Sequence, residues 1–425
     1  MPGDTPSRRE LPSTADLVIV GGGPAGSAAA IEAARAGIDA VVIDKATFPR
    51  EKCCGDGLTA NALRHLEALG LDPGDVPSWQ PVDDVRVVAP SGRAMVLPLP
   101  RGQGNFSVVA RRSELDLALV ELAKRAGADV HEGVELIGIS QDDNGVSVTT
   151  THGAVTATAV IAADGMWSPT RKLLGLAPAG YRGEWHAFRQ YVRNVAPAAR
   201  RELIVWFDAD LLPGYIWSFP LADGSVNVGF GIQRDRNHRI QEMGKLWQDI
   251  LQRPHVAEVL GPDAEPEGPH RAWPIPARLG ELPITAGRIF FVGDAVAATD
   301  PMTGEGIGQA IETGRQAAQR IAAFGRADPA GAAADYEHEL RAGMVRDHRL
   351  AATLSNLLAT ERWANWSVAI ADTNDWTRRN FGRWLFEDYP RALLGTPKRW
   401  GRGVFHQPGA FAERSAAPVD AATSR

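Results

Sequence analysis

The chain has 425 residues, too many for one simple core, so two or three substructures are expected. Apolar residues make up 44% and charged residues 23%, the balance of a globular protein rather than a disordered one. The net charge of −6 argues against a nucleic-acid partner, which would bring a basic bias. The only cysteines, Cys53 and Cys54, are adjacent; neighbours pair only with strain, so a reducing, cytosolic setting is expected rather than a disulfide framework. The first fifteen residues are polar and Pro-rich with no apolar signal core. No apolar run approaches the roughly 20 residues that span a bilayer, so any membrane contact is made from one side. No metal-ligand spacing is seen.

In chain order, residues 16–20 read as a buried strand, 21–26 as a tight turn and 27–36 as a small-residue helix. Residues 40–43 form a second buried strand closing on Asp44, completing a βαβ unit. A cysteine-bearing loop leads to a helix over 59–69. A hairpin follows over 85–97, turned by Pro90, Ser91 and Gly92. The next helix covers 113–126, with Ser113 as its N-cap and Gly127 past its end. Strands are predicted at 134–140, 146–151 and 155–162, then through 185–236 and at 288–292. A Gly-rich loop opens a helix over 306–324, and helical patterns dominate from Ala333 onward, with no internal repeat.

Gly21, Gly23 and Gly26 make the dinucleotide fingerprint in its strand–turn–helix setting. Gly21 permits the turn, Gly23 admits a pyrophosphate close to the backbone, and Gly26 lets helix and strand pack. The phosphates then meet a helix N-terminus, where free N–H groups favour anions. Asp44, at the end of the second strand, is placed to bind ribose hydroxyls. Glycines also serve ordinary turns, but the flanking strand, helix and acid favour the nucleotide reading. Two later segments point to a flavin. Ala163-Asp164-Gly165 follows a strand and precedes Ser168 and Arg171; Gly293-Asp294-Ala295 follows another and precedes Pro301 and Gly304-Glu305-Gly306.

With these motifs in this order the chain resembles the flavoprotein superfamily of the aromatic hydroxylases. That resemblance implies bound FAD, with Asp294 on its ribityl chain and Arg112, in Arg112-Ser-Glu-Leu-Asp116, close to the cofactor. Ala25, Lys45 and Gly55 are counted with the same cofactor residues. The helix entered at Gly304 and Gly306 would face the flavin edge that carries negative charge on reduction, with Glu305 read as turned away.

Two further signatures narrow the family: Phe48-Pro-Arg-Glu-Lys-Cys-Cys-Gly-Asp-Gly57, and Tyr215-Ile-Trp-Ser-Phe-Pro220 followed by Gly224, Gly229 and Gly231. Both look like the geranylgeranyl reductase family, whose members saturate isoprenoid double bonds in prenyl lipids, including a menaquinone side chain. The resemblance runs from about residue 14 to 330. The sequence departs from it at Cys53, where proline is common, and at Asp56, which interrupts a frequent Gly-Gly. The resemblance implies hydride delivery from flavin to one alkene carbon, with a proton reaching the other, in a dry apolar slot.

Three residues are assigned to catalysis: Cys54, Tyr215 and Trp217. Tyr215, Trp217 and Phe219 alternate and so share one strand face, which in this family lies at the substrate cavity; the alternative is a face covering a core. Cys54 sits beside Arg50 and Lys52, cations that would lower its pKa and suit it to gate the flavin or relay a proton; the alternative is inert filler.

The fold expected is α/β, a Rossmann-type FAD-binding domain (14–80, 105–175 and 277–330) with an inserted antiparallel-sheet substrate domain (81–104 and 176–276). A helical C-terminal region (331–414) and a disordered tail (415–425) complete the chain. No second nucleotide-binding turn is evident, so NADPH or NADH is expected to visit as reductant without its own domain; ferredoxin is the alternative donor. Trp363, Trp366, Trp376, Trp384 and Trp400 lie after residue 360, and between Arg378 and Arg402 seven basic residues (Arg378, Arg379, Arg383, Arg391, Lys398, Arg399, Arg402) face only Glu387 and Asp388. Tryptophan and arginine together suit a peripheral contact with the inner face of the plasma membrane; a helical cap packing its aromatics on the core is the alternative. The rival functions are an FAD-dependent monooxygenase, a flavin-dependent halogenase (disfavoured by a lysine count of six and by Tyr215 where a tryptophan is usual) and a flavin-binding protein without turnover.

Overall fold

The computed structural model describes residues 10–234, 239–325, 327–386 and 408–412. Expectations for Trp400, Arg391, Lys398, Arg399, Arg402 and the 415–425 tail, and for the side chains of Arg383 and Trp384, lie outside the described residues.

The chain opens with β1 (Thr14–Val20), α1 (Pro24–Arg35) and β2 (Ala40–Asp44). Leu17, Val18 and Ile19 are wholly buried because β1 is central, paired in parallel with β2 on one side and with Gly153–Ala162 on the other. The same eight-stranded sheet adds Asp129–Glu132 beyond β2, and Ile289–Phe291 and Thr285–Ala286 at the opposite edge. Strands Leu136–Gln141 and Val146–Thr150 meander back antiparallel onto Gly153–Ala162. Small residues let α1 pack closely on the helix Ile307–Phe324: a Cβ on Gly314 would stand 2.1 Å from the Ala25 carbonyl oxygen.

The second sheet has seven strands, in the order Glu265–Ile275, Trp185–Arg193, Val226–Gln233, Tyr215–Pro220, Leu203–Trp206, Asp84–Val88 and Ala94–Pro98. It is not wholly antiparallel as expected. Leu203–Trp206 and Asp84–Val88 pair in parallel, because the hairpin arrives from a distant chain segment and no tight turn dictates its direction.

Period-2 alternation divides this sheet into two faces. Phe188, Ile204, Trp206, Ile216, Val228 and Phe230 join one core with Met243, Trp247 and Ile250 of the covering helix Met243–Gln252. The intervening residues Ala187, Arg189, Leu203, Val205, Trp217 and Gly229 belong to the opposite face, which looks toward the first sheet. The helix predicted from Ser113 begins at Arg112 instead; Arg111 is its N-cap residue and no side chain caps it. Ser113 therefore lies inside the first turn and is not the N-cap.

After Ile307–Phe324, four helices follow among the described residues: Pro329–Ala342, Met344–Leu358, Glu361–Ala371 and Asp375–Phe386. Glu361–Ala371 buries Val368 and Ala371 against Val85, Val87, Met95 and Leu97 of the hairpin. Arg93 and Asp372 close an ion pair at 2.8 Å over that contact. Farther on, Phe411 returns to the first domain, its ring edge-on to Trp79 at 5.5 Å and its N–H donated to Glu67.

Candidate active site

The two sheets enclose one continuous cavity of about 940 Å³. Its first end is the fingerprint. Gly21 adopts φ +106°, and a Cβ there would stand 2.4 Å from the Ala163 carbonyl oxygen. On Gly26 it would stand 1.8 Å from the carbonyl oxygen of Gly21, so this glycine serves the turn from behind and does not line the cavity. Helix α1 starts at Pro24 with no side-chain cap, leaving its first N–H groups turned to the cavity end. The Asp44 carboxylate is fixed by two backbone donors, the N–H groups of Gly22 and Ala46, each at 2.7 Å. Gly23, Ala25, Asp44 and Lys45 all line this end. A cradle that tolerates no added Cβ, an open helix N-terminus and a pinned carboxylate together fit the pyrophosphate and ribose of FAD.

The middle of the cavity collects the later motifs. Asp164 accepts from the N–H of Thr170 at 2.8 Å, leaving its buried Oδ1 without a partner, while Gly165 follows at φ +78°. Gly293 and Asp294 border the same space, and Asp294 stands 4.0 Å from Lys52 Nζ. Lys52 in turn lies 3.9 Å over the Trp273 ring, and burial lowers its pKa. A small lysine total has thus not kept lysine out of the cavity. Pro301 is buried behind the wall rather than on it. Gly304 and Gly306 are on the wall.

Glu305 differs from expectation. Its carboxylate is not turned away; Oε1 accepts the Gly308 N–H at 2.7 Å and so caps the helix Ile307–Phe324. Unsatisfied N–H groups in a first helical turn draw the nearest acid onto themselves. Burial pushes this carboxyl up to about 7.

The cysteine loop runs between the two sheets, its Cys54 carbonyl accepting from Asn227 and its Arg50 reaching Asp116. Arg112 makes a two-pronged ion pair with Asp116, at 2.8 and 3.0 Å, and Arg50 reaches the same carboxylate at 3.2 Å. Cys54 and Gly55 line the cavity beside them. Burial pushes the Cys54 thiol up, and that of Cys53 up to about 12, against the pull of Arg112 on one and Arg189 on the other. The lowered pKa expected for Cys54 is therefore corrected: desolvation outweighs the cations.

Tyr215, Trp217 and Phe219 form one row of rings, with successive centroids 6.0 and 6.1 Å apart, and all three line the cavity. Tyr215 donates to the Thr303 carbonyl at 2.6 Å, tying the second sheet to the loop at Gly304 and Gly306. A Cβ on Gly229 would stand 2.2 Å from the Trp217 ring, so this glycine makes room for the indole. Past that row the lining turns apolar, with Val85, Val87, Leu203, Val205 and Phe207, and reaches Leu358 and Phe381 of the C-terminal helices.

Sequence reasoning missed three polar residues under this floor. Asp56 is wholly buried at φ +65°, and its Oδ2 accepts from Tyr191 Oη at 2.6 Å and from Asn227 Nδ2 at 2.8 Å. Asn227 also accepts from Trp217 Nε1 at 3.0 Å. The available signal was a lone acid where the motif usually holds glycine.

An FAD binding domain model matches residues 14–346. The chain is 33% identical over 341 residues to the menaquinone reductase of Mycolicibacterium smegmatis, covering 74% of this chain and 78% of that protein. It is 30% identical over 325 residues to digeranylgeranylglycerophospholipid reductase 2 of Methanopyrus kandleri, covering 72% and 76%. A geranylgeranyl bacteriochlorophyll reductase-like protein from Thermoplasma acidophilum superposes with a TM-score of 0.74 at 25% identity, over 90% of this chain and 98% of that one. The chain belongs to the geranylgeranyl reductase family of FAD-dependent oxidoreductases.

Proposed function

We propose that this protein saturates C=C bonds in the isoprenoid chain of a menaquinone-type or geranylgeranyl lipid, with NADPH or NADH as reductant. The observation that carries the reading is the continuity of the cavity from the FAD cradle into an apolar arm lined by Val85, Leu203, Val205 and Phe207. A compact aromatic substrate needs no such arm; an extended polyprenyl chain does. FAD held by the cradle would supply the hydride where the cavity turns into that arm. The protein's own task is to hold an isolated alkene there and keep water out, because such a bond carries no polar handle. Tyr215, Trp217 and Phe219 form the floor for it. Burial pushes the Tyr215 phenol up, so it stays protonated and serves as a tether to Thr303. Cys54 closes the junction from the loop side.

The test is anaerobic: reduce the flavin, add a polyprenyl lipid or menaquinone, and follow product mass. The expected result is a gain of two hydrogens with flavin reoxidation. Turnover only after air is admitted would shift the assignment to a monooxygenase.

The lipid is taken from a membrane surface. Among the described residues no helix is long and apolar enough to cross a bilayer. Instead Trp363, Trp366 and Ile370 lie along the exposed side of the helix Glu361–Ala371, Trp366 being 57% exposed, and Trp376 is exposed beside them. Each of these residues leaves 42–57% of its surface open, and Leu358 and Phe381 place the cavity's apolar end in neighbouring helices. Replacing Trp366 and Trp376 together by alanine is expected to weaken binding to anionic liposomes at least about tenfold, at roughly 1 kcal/mol or more for each interfacial ring. Unchanged co-sedimentation with liposomes would remove the docking assignment.

A further inference from the structure

Saturating an alkene takes a proton as well as a hydride, and the cavity must offer a group to deliver it. We propose that Asp56 is that acid, carrying the proton on its free Oδ1 while Tyr191 and Asn227 hold Oδ2. The inference rests on the reductase reading.

The geometry singles out one carboxyl oxygen. Oδ2 already accepts two hydrogen bonds, from Tyr191 and Asn227, whereas Oδ1 is buried with no partner. The acid form therefore places its O–H on Oδ1, in a residue that borders the cavity next to Cys54 and shares Asn227 with Trp217. The Asp56 N–H donates to Cys54 Sγ at 3.3 Å, which ties the acid to the thiol of the same loop. Burial pushes the carboxyl up to about 6, so it holds its proton into the near-neutral range. The groups facing it from other elements are Tyr191 and Arg189 on Trp185–Arg193, Arg112 on Arg112–Ala126, and the neutral Asn227. All four stabilise the carboxylate once the proton has left.

In the step, Asp56 Oδ1 would give its proton to one alkene carbon as the π bond breaks, while FAD, reduced beforehand by NADPH or NADH, would be the source of the hydride that the other carbon takes up. The product would gain two hydrogens at the expense of that reductant, and Asp56 would be left as a carboxylate that water reprotonates.

Asp56→Asn is the sharp test, because asparagine tolerates φ +65° and its amide oxygen can still accept from Tyr191 and Asn227. The FAD-loaded variant is expected to lose at least about 100-fold in kcat on a polyprenyl lipid. Infrared titration should show a carboxyl in the wild type, titrating near pH 6, that the variant lacks. Wild-type kcat should fall as pH rises through that value. Tyr191→Phe removes a bond that favours the carboxylate, so it should move the falling limb to higher pH. A limb owned by Glu305, the other raised acid on the wall, would not move. Wild-type kcat in Asp56→Asn, a loss confined to Cys54→Ser, or an unshifted limb in Tyr191→Phe each overturns the proposal. If Asp56→Asn sheds its FAD, the Tyr191→Phe profile decides. A wild-type protein that reduces no polyprenyl lipid would instead sink the functional reading itself.

Discussion

Gly26→Ala is expected to abolish retention of FAD, lowering affinity by at least about 100-fold, or roughly 2.8 kcal/mol. The added methyl would stand 1.8 Å from the Gly21 carbonyl oxygen and 2.9 Å from its carbonyl carbon. Both are backbone atoms of the phosphate turn, so no side chain can rotate away to accept it. Relief comes only by lifting α1 off β1, which displaces the backbone at Gly23 and Ala25 that lines the fingerprint end of the cavity. The helix cannot simply back off, because Gly314 on Ile307–Phe324 already holds it at contact distance from the other side. Gly244→Ala is the matched control: it is a helical glycine whose added methyl would meet nothing within 4 Å, so it should leave FAD content intact and add up to about 1 kcal/mol. Flavin absorbance per polypeptide after gel filtration reads both. Full FAD occupancy in Gly26→Ala would show that the turn has slack its geometry denies.

That turn was legible in the sequence because everything that defines it is local. Strand, glycines and helix lie within about twenty residues, and each glycine has a steric reason of its own. The alternation of Tyr215, Trp217 and Phe219 was legible for the same reason, since a two-residue period fixes the shared face without knowledge of the partner. The cavity's apolar arm was not. Val85, Leu203 and Phe381 are brought together by a parallel strand pairing and a helix docked on a hairpin, contacts that leave no trace in spacing. Electrostatics misleads in a consistent direction. In the sequence, the basic neighbours of Cys54 suggest a lowered pKa and Glu305 reads as turned away, whereas burial reverses the first inference and helix-end N–H groups decide the second. Asp56 was visible as a departure from a glycine motif, but its value depends on Tyr191 and Asn227, 135 and 171 positions away.

Arg112→Ala is expected to destabilise the fold by about 3–5 kcal/mol and to lower flavin content with it. Asp116 is wholly buried, and Arg112 supplies its two-pronged partner one helical turn away. Without that guanidinium the carboxylate keeps only Arg50, at 3.2 Å and on the more exposed side of the loop. A buried charge left half-paired costs far more than the intact pair contributes, so the loss exceeds that of any surface ion pair here. The damage also reaches the site, because Arg112 lies against Cys54 and lines the cavity. Arg112→Lys separates the two effects: it restores a positive charge without the planar fork, so it should recover part of the stability but not the two-point grip on Asp116. Double replacement, Arg112→Leu with Asp116→Leu, should be milder than Arg112→Ala alone, since it removes the orphaned charge instead of creating it. Urea denaturation of the three variants, with flavin released on unfolding as a second signal, orders them. If Arg112→Ala costs less than about 1 kcal/mol, the Asp116 carboxylate must be satisfied by Arg50 alone, and the loop carrying Arg50, Cys54 and Asp56 becomes the stronger anchor between the two sheets.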